Sequence, residues 1–187
     1  MKYFLLMLDL RQNSLTDLPS GTSGAFTDLT YLHVLDLREN NISSVGPNTF
    51  CGLHHLQHLL LSENPVKTLN DYAFNGLVHL SQLNLSHLQL EWIYRRAFVH
   101  MPRLESLDLS HSLMVQVHMN TYQDINNIRT LDIKRNNLIF ENYSFLPLFG
   151  DMSYLGEDYW RFCCLAMAIV VCDVPNREVL SCKYMLD

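Results

Sequence analysis

One six-residue spelling recurs along this chain at a fixed interval, and it restricts the fold more than any other feature. Leu104, Leu107 and Leu109 follow the order Leu-x-x-Leu-x-Leu. The same spelling stands 24 residues earlier at Leu80, Leu83 and Leu85, then at Leu56, Leu59 and Leu61, then at Leu32, Leu35 and Leu37. It returns 24 residues later at Ile128, Leu131 and Ile133, and a further copy, Leu5, Leu8 and Leu10, lies 27 residues before Leu32. A unit this short cannot bury its own apolar face, so successive copies must stack and share one continuous core.

Within each copy the Leu-x-Leu alternation has the period of a strand. It sends the leucines inward and the intervening residues to the opposite, concave face. The period and spelling are those of a leucine-rich repeat. They imply an α/β leucine-rich-repeat solenoid with a parallel concave sheet over residues 1–152, followed by a cysteine-rich cap or hinge over 153–187. An asparagine three residues past the strand, at Asn13, Asn40, Asn64 and Asn136, supplies an amide for the turn that leaves it. Leu88 and Ser112 hold that place in the fourth and fifth copies and supply none. The convex half carries Phe26, Phe50, Phe74, Phe98 and Tyr122 at matching places, expected to stack as a spine along the back. Pro19 to Ser23 holds the three extra residues of the first copy and reads as a surface loop.

The chain has 48% apolar residues, enough for a core and too many for disorder. Its formal net charge of -6 argues against nucleic acid and favours a cationic partner. The longest apolar run, Phe162 to Cys172, is shorter than a membrane span, so any membrane attachment is expected through a following segment. The opening MKYFLLMLDL falls on the repeat register and reads as structure, not as a cleavable signal. The chain is thus expected to be part of a longer protein, without its amino-terminal cap.

Four of the five cysteines, Cys163, Cys164, Cys172 and Cys182, cluster after the last repeat. This implies two disulfides in an oxidising compartment, with adjacent Cys163 and Cys164 bonded to different partners. Their spacing does not suit zinc, and no metal or cofactor is expected. Cys51 is expected as a buried free thiol. Asn41 and Asn142 head glycosylation triplets; Asn84 heads a third, but on the concave strand, where a glycan would block the groove.

The tail spells Tyr159-Trp160-Arg161-Phe162-Cys163-Cys164-Leu165-Ala166, then Cys172-Asp173-Val174-Pro175-Asn176, then Ser181-Cys182-Lys183-Tyr184-Met185-Leu186. It resembles the hinge that joins the ectodomain to the first membrane helix in leucine-rich-repeat G-protein-coupled receptors, and is most similar to the relaxin-receptor-like branch. It departs from that pattern in lacking an amino-terminal low-density-lipoprotein-receptor module and in a shorter Gly156–Trp160 stretch. The resemblance implies the hormone-binding extracellular region of a plasma-membrane receptor, ending just before the first membrane span. The alternative is a secreted or adhesive interaction module whose cysteine tail is only a cap.

Concave positions between the paired leucines are Asp9, Asp36, Leu60, Asn84, Asp108 and Asp132, a mostly acidic column. Asp108 and Asp132 on neighbouring strands repel by about 1 kcal/mol in water, which an arriving cation relieves. Arg11, Arg38 and Lys134 stand two residues along and answer part of this charge. The receptor resemblance implies that Asp36, Glu39, Asp108 and Asp132 take the basic residues of a peptide or protein hormone. His87 and His111 share a column and read as groove-lining polar residues. No nucleophile motif accompanies the nine histidines, so no enzymatic activity is expected.

Overall fold

The computed structural model describes residues 4–20, 26–115 and 128–137. Six short parallel strands form the concave sheet: β1 (Met7–Asp9), β2 (Val34–Asp36), β3 (His58–Leu60), β5 (Gln82–Asn84), β7 (Ser106–Asp108) and β8 (Thr130–Asp132). They pair in the order β1-β2-β3-β5-β7-β8 with no shift of register, so Leu35, Leu59, Leu83, Leu107 and Leu131 lie in one row. A second parallel pair, β4 (Thr68–Leu69) and β6 (Trp92–Ile93), flanks the sheet and is extended by a bridge from Leu69 to Val45.

The repeat spelling explains the core. All three leucines of the second to fifth copies are buried, each contributing about 2 kcal/mol of apolar burial. Phe26, Phe50, Phe74 and Phe98 form the expected spine, with ring centroids 6.0, 5.9 and 5.8 Å apart and nearly parallel planes. Tyr122 lies outside the described residues.

The parallel-sheet solenoid that the period implied is present. The helical part of the α/β class has no counterpart among the described residues, where turns close the convex side. Left-handed backbone at Asn48, Gly52, Tyr72, Gly76 and His100 interrupts each convex segment before a run of i→i−4 bonds can build. Cys51 is a free thiol as expected, but it is half-buried and not buried, because it sits on one of these turns. No helix among the described residues is long and apolar enough to cross a membrane. The four tail cysteines and Asn142 lie outside the described residues.

Asparagines knit successive turns together. Asn64 Nδ2 donates to Leu37 O and Leu61 O, both at 2.9 Å, while its Oδ1 accepts from Ile42 N. Asn40 repeats this pattern one turn before Asn64, and Asn136 repeats it beyond the interruption at Leu88 and Ser112. At the interruption Leu88 is buried without an amide, and the buried Ser112 hydroxyl has no hydrogen-bond partner among the described residues.

Candidate ligand-binding face

The concave surface is built where each strand leaves the sheet. One residue per turn there takes left-handed backbone: Gln12, Glu39, Glu63, His87, His111 and Arg135, with φ between 52° and 60°. None is glycine, so each pays roughly 1 kcal/mol of strain. In return its N–H points along the solenoid: Glu39 N donates to Ser62 O, Glu63 N to Ser86 O, His87 N to Ser110 O and His111 N to Lys134 O. The side chains are thereby held out toward solvent as an exposed column beside the strand residues. His87 and His111 stack at 4.1 Å between centroids within this column.

The acidic column divides by its neighbours. Asp36 is buried and gripped by its own Arg38, whose Nη2 lies 2.6 Å from Oδ2. The Arg38 side-chain bond, with its backbone N–H and its charge, holds the Asp36 carboxyl below the usual carboxylate range against the opposing effect of burial. Asp9 pairs with Arg11 and Asp132 with Lys134, each at 3.1 Å. Glu39 accepts a bond from Gln12 Nε2 at 2.8 Å. Asp108 differs: residue 110 is serine, its N–H bonds Asp108 Oδ1 at 2.9 Å, and no cation among the described residues pairs with the half-buried carboxylate. Of the four predicted ligand residues, Asp36 and Asp132 are thus neutralised within the chain, whereas Glu39, bonded to the neutral Gln12, and Asp108 have no ion-pair partner among the described residues.

Asn41 is exposed. Asn84 Oδ1 accepts bonds from Ser86 N and Ser86 Oγ, and Ser86 is buried, so that triplet is occupied internally. Among the described residues no group of three or more His, Cys, Asp or Glu is placed to hold a metal ion.

Sequence reasoning missed a second row. Phe4, Tyr31, His55 and His79 each precede the first leucine of a copy, and their rings follow one another at 4.2, 5.5 and 5.7 Å. His55 Nδ1 bonds Thr30 O and His79 Nδ1 bonds His54 O, which sets both rings in place. The signal was present in the same 24-residue register, which puts Arg103 next in that row.

The leucine rich repeat family matches residues 5–66, 30–90, 63–114 and 89–139. A search of curated proteins gives no match. Among solved structures the chain is similar to TLR13 in the TLR13-ssRNA13 complex, at 31% identity and a TM-score of 0.67 over 78% of this chain and 20% of that one. It is also similar in fold to the leucine-rich repeat domain of APL1B, at 23% identity and a TM-score of 0.62 over 71% of this chain and 38% of that one. The chain therefore spans a minor part of the length of both. With a 24-residue register, buried leucine rows, an asparagine ladder and family matches running from 5 to 139, this chain belongs to the leucine-rich-repeat family.

Proposed function

We propose that the chain is a protein-interaction module that binds a basic peptide or protein ligand on its concave face, centred on Asp108. In the finer reading it is the extracellular ligand-binding region of a hormone receptor of the leucine-rich-repeat G-protein-coupled type. The observation that carries the binding mode is the missing cation at Ser110. One turn of the solenoid away, Lys134 sits on Asp132, and farther back Arg38 sits on Asp36. With Arg11 on Asp9, the chain displays three times what suits an aspartate of this column, and at Asp108 the equivalent seat is left to a ligand's Arg or Lys. A charge-assisted bond in a half-buried groove gives specificity and association rate as well as affinity.

The receptor reading draws support from the hinge-like tail and the extracellular type of repeat. A nucleic-acid ligand, such as the single-stranded RNA in the TLR13 complex, suits this face poorly because aspartates line it.

The test is binding of a basic relaxin-like peptide at low salt. Replacing Asp108 and Asp132 together by Asn should weaken binding about tenfold and flatten its salt dependence. The charge-matched control replaces the exposed Asp17 by Asn and Glu91 by Gln. Equal affinity in the parent and both double variants would mean that the acidic column is only a solvated face. Coding sequence beyond Asp187 separates the receptor from a secreted module, since the receptor requires an apolar run of about 20 residues there.

A further inference from the structure

A cleft of about 550 Å³ opens on the rim of the solenoid where β5 and β7 begin. Gln57, His79, Ser81, Arg103, Glu105 and Arg129 line it, contributed by successive turns of the chain. On an acidic protein this lining is dominated by cations. The exposed Arg103 guanidinium has no ion-pair partner among the described residues. Arg129 Nη1 reaches Glu105 Oε2 only at 3.5 Å, with side chains 76% and 47% exposed, so water screens the pair and leaves the guanidinium open to a better partner. His79 Nδ1 is 2.7 Å from His54 O and donates its proton there.

We propose that this cleft binds the carboxylate of an Asp or Glu side chain on a protein partner, held between the Arg103 and Arg129 guanidinium groups. Two planar guanidinium forks suit a carboxylate. A polyanion fits less well. Glu105 stands in the same cleft, and Asp108 lies three residues farther along β7, about 10 Å away, so a longer chain of negative charge runs from the cleft onto the acidic column. One carboxylate satisfies the two arginines without meeting those aspartates.

The experiment is fluorescence anisotropy of a labelled, otherwise uncharged peptide carrying one Glu, at low ionic strength with the whole chain. At about pH 6 the double variant Arg103→Gln with Arg129→Gln should bind about tenfold more weakly than the parent. The control, Arg95→Gln with Arg135→Gln, changes net charge equally at two other exposed arginines and should shift affinity less than about twofold. Glu105→Gln should tighten binding by removing the internal competitor, whereas Glu91→Gln should not. Equal losses in the two arginine double variants would overturn the cleft as the site. A labelled thymidine dinucleotide, with its one phosphodiester, binding as tightly as the peptide would overturn the carboxylate assignment in favour of phosphate. Asp108 is untouched by these variants, so failure here leaves the concave-face reading standing.

Discussion

Arg38 grips Asp36 with both edges of its guanidinium: Nε donates to Oδ1 at 2.9 Å and Nη2 to Oδ2 at 2.6 Å, on a carboxylate 3% exposed. The two residues are separated by one position at the end of β2, so the strand itself preorganises the pair. A buried carboxylate on a concave face would otherwise be costly, and here the cation needed to keep it is part of the same turn.

The pair makes stability depend on acid. Because the folded Asp36 carboxyl titrates below its unfolded value of about 3.9, the stability it contributes is fully present above that value and is lost as pH falls through the folded value. Arg38→Gln should cost about 1 to 2 kcal/mol at neutral pH, at the lower end of a charged hydrogen bond because the Arg38 side chain is 34% exposed. Urea midpoints should converge between parent and variant as the pH is lowered toward about 2. A loss of the same size at both pH values would assign Arg38 a packing role through its aliphatic stem.

The break in the asparagine ladder supplies a stabilising substitution. Ser112 is buried, its hydroxyl is unpartnered, and it occupies the register position of Asn64 and Asn136. In Ser112→Asn the amide should reach the carbonyls of Leu85 and Leu109, as Asn64 reaches those of Leu37 and Leu61. A gain of about 1 kcal/mol in unfolding free energy is expected, read as a higher urea midpoint at unchanged slope. A lower midpoint would show that the turn there is too tight for an amide.

The solenoid, its leucine rows and its phenylalanine spine were legible in the sequence because stacking forces equivalent residues into equivalent places. Arg11, Arg38 and Lys134 could be seen two residues beyond their aspartates. The depth of Asp36 could not, because burial there depends on how Arg38 folds back over it. The left-handed column was hidden because Glu, His and Arg occupy it without any glycine to signal it. The rim cleft draws on places in the repeat that carry no fixed spelling, so its chemistry emerges only when the turns are stacked.

Two glycines in the same register separate backbone strain from steric conflict. Gly52 and Gly76 have φ of 96° and 94°. A Cβ at Gly52 would stand 2.6 Å from Thr27 O and 2.7 Å from Thr27 Cα, whereas at Gly76 the nearest atom is Cys51 Cα at 3.9 Å. Gly76→Ala should therefore cost about 1 kcal/mol, the conformational penalty alone. Gly52→Ala must also move backbone and should cost about 3 kcal/mol or more. Thermal unfolding of both variants checks this. The next position in the register, His100, already carries a side chain at φ 62°, in keeping with the milder outcome at Gly76.

The last prediction turns the chain's own ion pairs against its proposed ligand. Ser110 follows Asp108 at the distance by which Arg38 follows Asp36 and Lys134 follows Asp132. Ser110→Arg should let the new guanidinium fold back onto the Asp108 carboxylate, since Arg38 shows that the repeat geometry accommodates an arginine there. Ser110 is itself buried, but Arg38 at the same place in the repeat is accommodated with its side chain 34% exposed, so folding should be unchanged. Binding of a basic peptide should fall about tenfold, as the seat is filled and the local charge reversed. Ser110→Gln, similar in length and uncharged, should weaken binding far less, which separates charge from obstruction. If Ser110→Arg binds the peptide as tightly as the parent while remaining folded, the ligand's cation does not rest on Asp108.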